Sequence, residues 1–347
     1  MNLKTLTEKV AEIISDYEGD GSNPIDSKHI HTWINQFEES DRVFLLQELV
    51  HLFQQCYFSK EKTIDCLFKG IKYFARKYGY RDEVSFLLES KYISTQKEDK
   101  SQTEILRLFY ESLPLKFGIE ERFIGSSAKK FAIYFDDILA TGNTTVNEIE
   151  NFLKTEKADY IKRLVNDEFK LLIQNVCCHS WGKSNSKYRF KMIFGDDVLR
   201  RIVFYANYSI ENNPNDFKRR FNHAYPIDKE MGIVKKYLAS IDTGEFDKYV
   251  EFAFRPTKEP KKETFFSSPE NRNRYEYILL TKGIEILESV KKLNSPMRPL
   301  GYTVKSHRTF GLGTHFFTWR NVPNTAPLVF WWKSKTWYPL FPVKNRG

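Results

Sequence analysis

The chain has 347 residues, enough to bury a sizeable core in one large domain or in two to three ordinary ones. With 41% hydrophobic, 16% aromatic and 29% charged residues it carries the apolar side chains that disordered chains lack, which excludes a disordered tail or linker. A formal charge of +9 suits a nucleotide or nucleic-acid partner, although an ordinary solvated basic surface accounts for it equally, since its clusters are as short as KRR at 218–220 and KEPKKE at 258–263.

No stretch approaches the roughly 20 consecutive apolar residues of a membrane span. The opening MNLKTLTEKVAEIISDYEGD has acidic residues where a secretory signal would be apolar, so a cytoplasmic protein is expected. Cys56, Cys66, Cys177 and Cys178 show no metal-ligand spacing and read as buried free thiols.

From Leu3 to about Ser94 apolar residues recur at three- and four-residue spacing, in HIHTWINQF, FLLQELVHLFQQCYF and IDCLFKGIKYFARKYG, which predicts a helical N-terminal region. The polar STQKEDKSQ at 94–102 is a first boundary candidate, followed by a further helix in TEILRLFYESL. Strands and helices then alternate: FAIYFDD a strand, VNEIENFLK a helix, KLLIQNVCCHS and RRIVFYANYSI two more strands with a mixed segment between them. Continuous apolar strands separated by helices predict an α/β fold with a mainly parallel sheet flanked by helices.

A second boundary candidate is TKEPKKETFFSSPENRNR at 257–274, followed by the helix YEYILLTKGIEILESVKKL. In the tail, HFFTW and LVFWW flank the turn-prone NVPNTAP, which predicts a strand pair and a strand-rich C-terminal extension. The expected segments are 1–100 (helical), 101–256 (α/β core) and 257–347 (extension packing on the core).

In open α/β sheets, ligands bind outside the carboxyl ends of strands, where a loop leads into a helix. Asp136 and Asp137 stand there, at the end of FAIYFDD. Ala140, Thr141, Gly142, Asn143, Thr144 and Thr145 follow, opening a helix whose Val146, Ile149, Phe152 and Leu153 can face the sheet. Gly142 permits a tight turn. The unpaired N–H groups at the helix start attract an anion, and the Thr and Asn side chains can add hydrogen bonds to phosphate. Carboxylates touching that phosphate would repel it. Their useful place is the far end of a sugar phosphate, where they accept from neighbouring hydroxyls, so the spacing describes a ribose 5-phosphate. A phosphatase with acids two apart is excluded by Ile138.

YFDDILATGNTT at 134–145 resembles the phosphoribosyl-pyrophosphate (PRPP) binding motif of type I phosphoribosyltransferases. TWINQF (32–37), GSSAKKFAIYFDD (125–137), RPLGY (298–302), NVPNTAPLVFWW (321–332) and WYPLFP are similar to a divergent bacterial branch found in conflict and anti-phage systems, some beside retron reverse transcriptases. The resemblance implies ribose contacts by Asp136 and Asp137 as catalytic residues and phosphate binding by Ala140 to Thr145. It also implies Mg²⁺ carried by the pyrophosphate of the substrate rather than held in a protein cage. Transfer at C1 would pass through a cationic sugar that a carboxylate stabilises. A phosphoribosyltransferase or related nucleotide-modifying effector, a non-catalytic nucleotide sensor, and a scaffold for nucleic acid or a reverse transcriptase all stay open.

GSSA at 125–128, with Lys129 or Lys130, is a candidate anion nest. His29 and His31 read as residues of a helix and His179 as a strand end; FGLGT at 310–314 reads as a turn or bulge. Phe330, Trp331, Trp332, Trp337 and Tyr338 read as core or docking surface rather than base-stacking groups, and Arg298 and Lys305 as a candidate anion pair.

Overall fold

The computed structural model describes residues 2–18, 24–96, 100–124, 130–155, 159–216, 218–244, 248–290 and 295–343. Its strands are β1 (Tyr57–Phe58), β2 (Ser90–Tyr92), β3 (Phe131–Leu139), β4 (Lys170–His179), β5 (Ile202–Ile210) and β6 (Phe317–Thr318). The chain divides into two compact units, 61–209 and a second made of 1–60 with 210–347. Three consecutive segments were expected from composition, and the compact units are drawn differently. The first boundary candidate lies within one unit: buried Gln102 accepts from the N–H groups of Thr95 and Gln96 and donates to Ile93 O.

The unit 61–209 holds a four-stranded sheet in the order β2-β3-β4-β5. β3 runs parallel to both β2 and β4, with Ser90 opposite Phe131 and Asp136 opposite Asn175. The N–H of Leu171 donates to Arg201 O at 3.0 Å, which sets the start of β5 beside the start of β4. Alternation along β3 serves two faces. Ala132 and Tyr134 join Leu171 and Ile173 in a core closed by Val146, Ile149, Phe152 and Leu153 of the helix Asn143–Thr155. Phe135, on the other face, packs its ring on Tyr92 and on Phe109 of the helix Ser101–Phe117. Burial on both sides is why these strands read as unbroken apolar runs. The mixed segment between β4 and β5 is a helix, Ser180–Leu199, broken at Gly195, where φ is 84°.

The other unit is mainly helical, with Leu3–Ile13, Ser27–Ile34, Glu39–Cys56, Gly232–Ser240 and Pro269–Glu288. Its two ends of sequence share one core: Tyr57 is in parallel register with Phe317, and the Trp33 indole donates to Val329 O at 2.8 Å. The expected C-terminal strand pair does not form. HFFTW supplies only β6, and LVFWW turns as a short helix, Leu328–Trp331, whose four side chains are all buried and whose end is closed by the Trp332 N–H donating to Leu328 O at 2.9 Å. The C-terminal stretch is therefore not strand-rich among the described residues. Phe330, Trp331 and Trp337 are core, as expected from their apolar runs. Arg298 is no anion ligand: it is 3% exposed, and its guanidinium donates to the carbonyls of Ser295, Met297, Lys305 and His307. No helix among the described residues is long and apolar enough to cross a membrane.

Candidate functional site

β3 delivers both acids to the carboxyl end of the sheet, but to different environments. Asp136 is 4% exposed. Its Oδ1 accepts from the Ser101 hydroxyl at 2.7 Å and from the Asp137 N–H at 2.9 Å, and its Oδ2 accepts from the Tyr134 hydroxyl at 3.4 Å. Gln96 donates in turn to that hydroxyl at 3.3 Å. Burial first, and then the neighbouring charge of Asp137, hold the Asp136 carboxyl well above the usual carboxylate range. Asp137 is half-buried; its Oδ1 accepts from the N–H of Ile138 at 2.7 Å. Opposite Asp136 on β4, Asn175 is 1% exposed, and its amide nitrogen has no hydrogen-bond partner among the described residues. Register partners share a face, so a buried acid and an unsatisfied buried donor lie side by side.

The loop after β3 leads into the helix as expected. Gly142 has φ 82°, a left-handed conformation, and its carbonyl accepts the first helical bond, from Val146 N–H at 3.0 Å. Asn143 and Thr144 are exposed at the helix start, Ala140 and Thr141 half-buried, and Thr145 is turned inward, 2% exposed. The helix Ser180–Leu199 supports this loop. Asn185 donates to Thr141 O at 2.9 Å, and the Arg189 guanidinium reaches Asn143 Oδ1 and Asn147 Oδ1, both at 2.9 Å. A cation thus stands beside the helix N-terminus, where an anion is already favoured. Neither Arg189 nor Asn185 was singled out in the sequence. The signal was there in Gly182, Asn185, Ser186 and Arg189, which recur at i, i+3, i+4 and i+7 and so share one helical face.

Ser101, Gln96 and Asn175 were likewise not foreseen. The GSSA segment and Lys129 lie outside the described residues; Lys130 pairs with Glu89 at 2.9 Å. His179 ends β4 and is fully buried. FGLGT is irregular chain with φ 119° at Gly311 and 56° at Gly313, in keeping with a turn. All four cysteines are free and buried, and burial pushes the Cys178 thiol up to about 12. Among the described residues no three His, Cys, Asp or Glu side chains gather to hold a metal. The donor chemistry on offer is a half-buried carboxylate, Asp137, a hard oxygen ligand that fits a magnesium ion arriving on a ligand's own phosphates.

Searches of curated proteins and of solved structures found no match. A family model does match, over residues 30–343 and so across both units. An acid-ended parallel strand, a glycine-turned loop and a helix opening beside them sit inside that match, and the chain belongs to the PRTase-CE family, a phosphoribosyltransferase-like family.

Proposed function

We propose that the β3 end, its loop and the following helix bind a ribose 5-phosphate compound, PRPP or a nucleotide, whose phosphates bring Mg²⁺ with them. The observation that carries this reading is the pairing of a half-buried carboxylate, Asp137, with a helix N-terminus turned by Gly142 and flanked by Arg189. In this reading Asp137 accepts from the ribose hydroxyls, while Ala140 to Thr145 hold the phosphate through backbone N–H groups and the exposed Asn143 and Thr144. Asp136, buried and accepting from the Ser101 hydroxyl and the Asp137 N–H, keeps Ser101 and the strand end in place beside it. Were the bond at C1 of the ribose to break, Asp137 is the half-buried acid of the pair that a cationic sugar could approach. The protein then serves as an effector in bacterial anti-phage defence, with a reverse transcriptase or its nucleic acid as partner.

The burial of Asp136 favours a second reading, a nucleotide sensor that binds without transfer, because it leaves Asp137 as the one acid of the pair open to a ligand. Calorimetry with PRPP and with nucleoside monophosphates, followed by mass spectrometry of a cell nucleotide extract incubated with the protein, separates the two. Binding with release of pyrophosphate supports transfer, and binding with an unchanged extract supports the sensor. Affinity for both ligand classes that is the same in Asp137→Asn as in the natural chain would remove the site from either account.

A further inference from the structure

The two short basic clusters of the sequence, KRR and KEPKKE, converge in the unit 1–60 with 210–347. Lys218, Arg219 and Arg220 line one cleft of 470 Å³ together with Lys261, Lys262, Asp216 and Glu259. Two of the five cations are already matched: Arg220 pairs with buried Glu211, and Arg219 lies 3.9 Å from Glu259. Lys218, Lys261 and Lys262 are exposed and have no carboxylate within ion-pair reach among the described residues. The Asp216 carboxylate accepts from the Lys218 backbone N–H at 3.0 Å.

The cleft is built from beneath. Arg219 and Phe221 hold left-handed φ of 35° and 48°, a conformation that costs non-glycine residues on the order of 1–3 kcal/mol each and persists only where the surroundings enforce it. Arg272, fully buried, enforces it by donating to Phe221 O at 2.7 Å and His223 O at 3.3 Å. On the other side Arg255 donates to Tyr225 O and to Glu259 O. One buried acid binds both arginines: Glu276 Oε1 accepts from Arg272 at 2.9 Å and Oε2 from Arg255 at 3.1 Å. A single carboxylate therefore ties together the two arginines that hold the backbone near both basic clusters, and the three lysines line one cleft.

We propose that this cleft binds a small oligophosphate, a compound with two or more linked phosphates such as a nucleoside triphosphate. Its volume lies within the roughly 300–1,000 Å³ of small-molecule sites, and clustered lysines answer point charges on neighbouring phosphates. The site is separate from the β3 loop and does not depend on the reading given for it.

The test uses the full chain, with tripolyphosphate and ATP as calorimetric probes. Binding is expected to weaken about tenfold or more in Lys218→Gln/Lys261→Gln/Lys262→Gln, whose exposed positions leave the melting temperature unchanged, and to persist in Asp136→Asn/Asp137→Asn. Saturating ATP is also expected to slow chemical acetylation of those three lysines in the natural chain. Equal affinity in the triple variant, or acetylation indifferent to ATP, overturns the proposal. So does a cleft that needs these lysines for a single-stranded oligonucleotide yet binds no tripolyphosphate.

Discussion

A Cβ on Gly142 would stand 2.0 Å from the Oγ of Ser186, so the loop after β3 and the helix Ser180–Leu199 touch at a point where only hydrogen fits. Ser186 is fully buried and its hydroxyl donates to Gly182 O at 2.9 Å, so it has little room to turn away. Gly182 repeats the relation in reverse: its Cβ would meet Ala140 O at 1.9 Å. The two glycines let the loop after β3 lie close against a helix that carries Asn185 and Arg189.

Gly142→Ala is therefore expected to cost about 1–3 kcal/mol of stability, from the clash and from the positive φ together, and to abolish binding of a ribose phosphate. Ser186→Ala removes the atom in the way, so the double variant should recover part of the stability but not the strain of φ. Urea titrations of the four proteins form the cycle. Strictly additive single effects would mean that Gly142 and Ser186 do not press on each other.

Arg189→Ala tests the cation that the fold adds to the loop. Its guanidinium makes two exposed hydrogen bonds, to side-chain oxygens of Asn143 and Asn147, so stability should shift by no more than about 0.5 kcal/mol. The dissociation constant for a nucleoside monophosphate should rise about tenfold, and the corresponding nucleoside should bind as before. A variant that loses both ligands equally would assign Arg189 to loop structure alone.

The parts of this site that are close in sequence could be read from the sequence, because strand period, paired acids, turn glycine and helix start follow one another from Phe131 to Thr155. The parts supplied by other elements could not. Arg189 lies in a segment whose helical pattern is blurred by the break at Gly195, and Ser101 is an ordinary helix-start serine until Asp136 is set against it. LVFWW illustrates the opposite failure. Where all four side chains of a short run are buried, apolar character loses its period and cannot separate helix from strand.

Asp136 makes the stability of the unit 61–209 fall with rising pH. Its folded carboxyl titrates above the ordinary value of 3.8, so the folded state holds the proton more tightly than the unfolded chain. That contribution is complete below 3.8 and is lost as pH rises through the folded value. Asp136→Asn cannot ionise, and its amide oxygen can still accept from Ser101 and the Asp137 N–H. The variant should lose this slope and match or exceed the natural chain in stability at neutral pH, as hydrogen exchange of β3 and β4 amides would show. Greater protection of the natural chain at higher pH would contradict the burial argument.

His315 gives the other unit the opposite sign. Its Nδ1 lies 2.9 Å from Gly313 O, which can only accept, so Nδ1 carries the proton and Nε2 accepts from the Tyr275 hydroxyl at 3.0 Å. The ring is fully buried among Phe265, Phe317 and Phe330, and burial lowers its pKa from 6.5 to about 4, with the Arg272 charge acting the same way and the Gly313 bond opposing. The unfolded chain thus binds the proton first as pH falls. Stability is whole above 6.5 and erodes towards 4, by about 3 kcal/mol in all at about 1.4 kcal/mol per pH unit. His307, lowered likewise to about 4 by burial, adds to the same acid limb, so one substitution removes part of it. His315→Gln is destabilised at every pH by lost packing, and its deficit should shrink as acid is added, since it has no proton to take up. Denaturant midpoints for both proteins across that interval provide the measurement, and a deficit that stays constant would show that the buried imidazole does not titrate in the unfolding reaction.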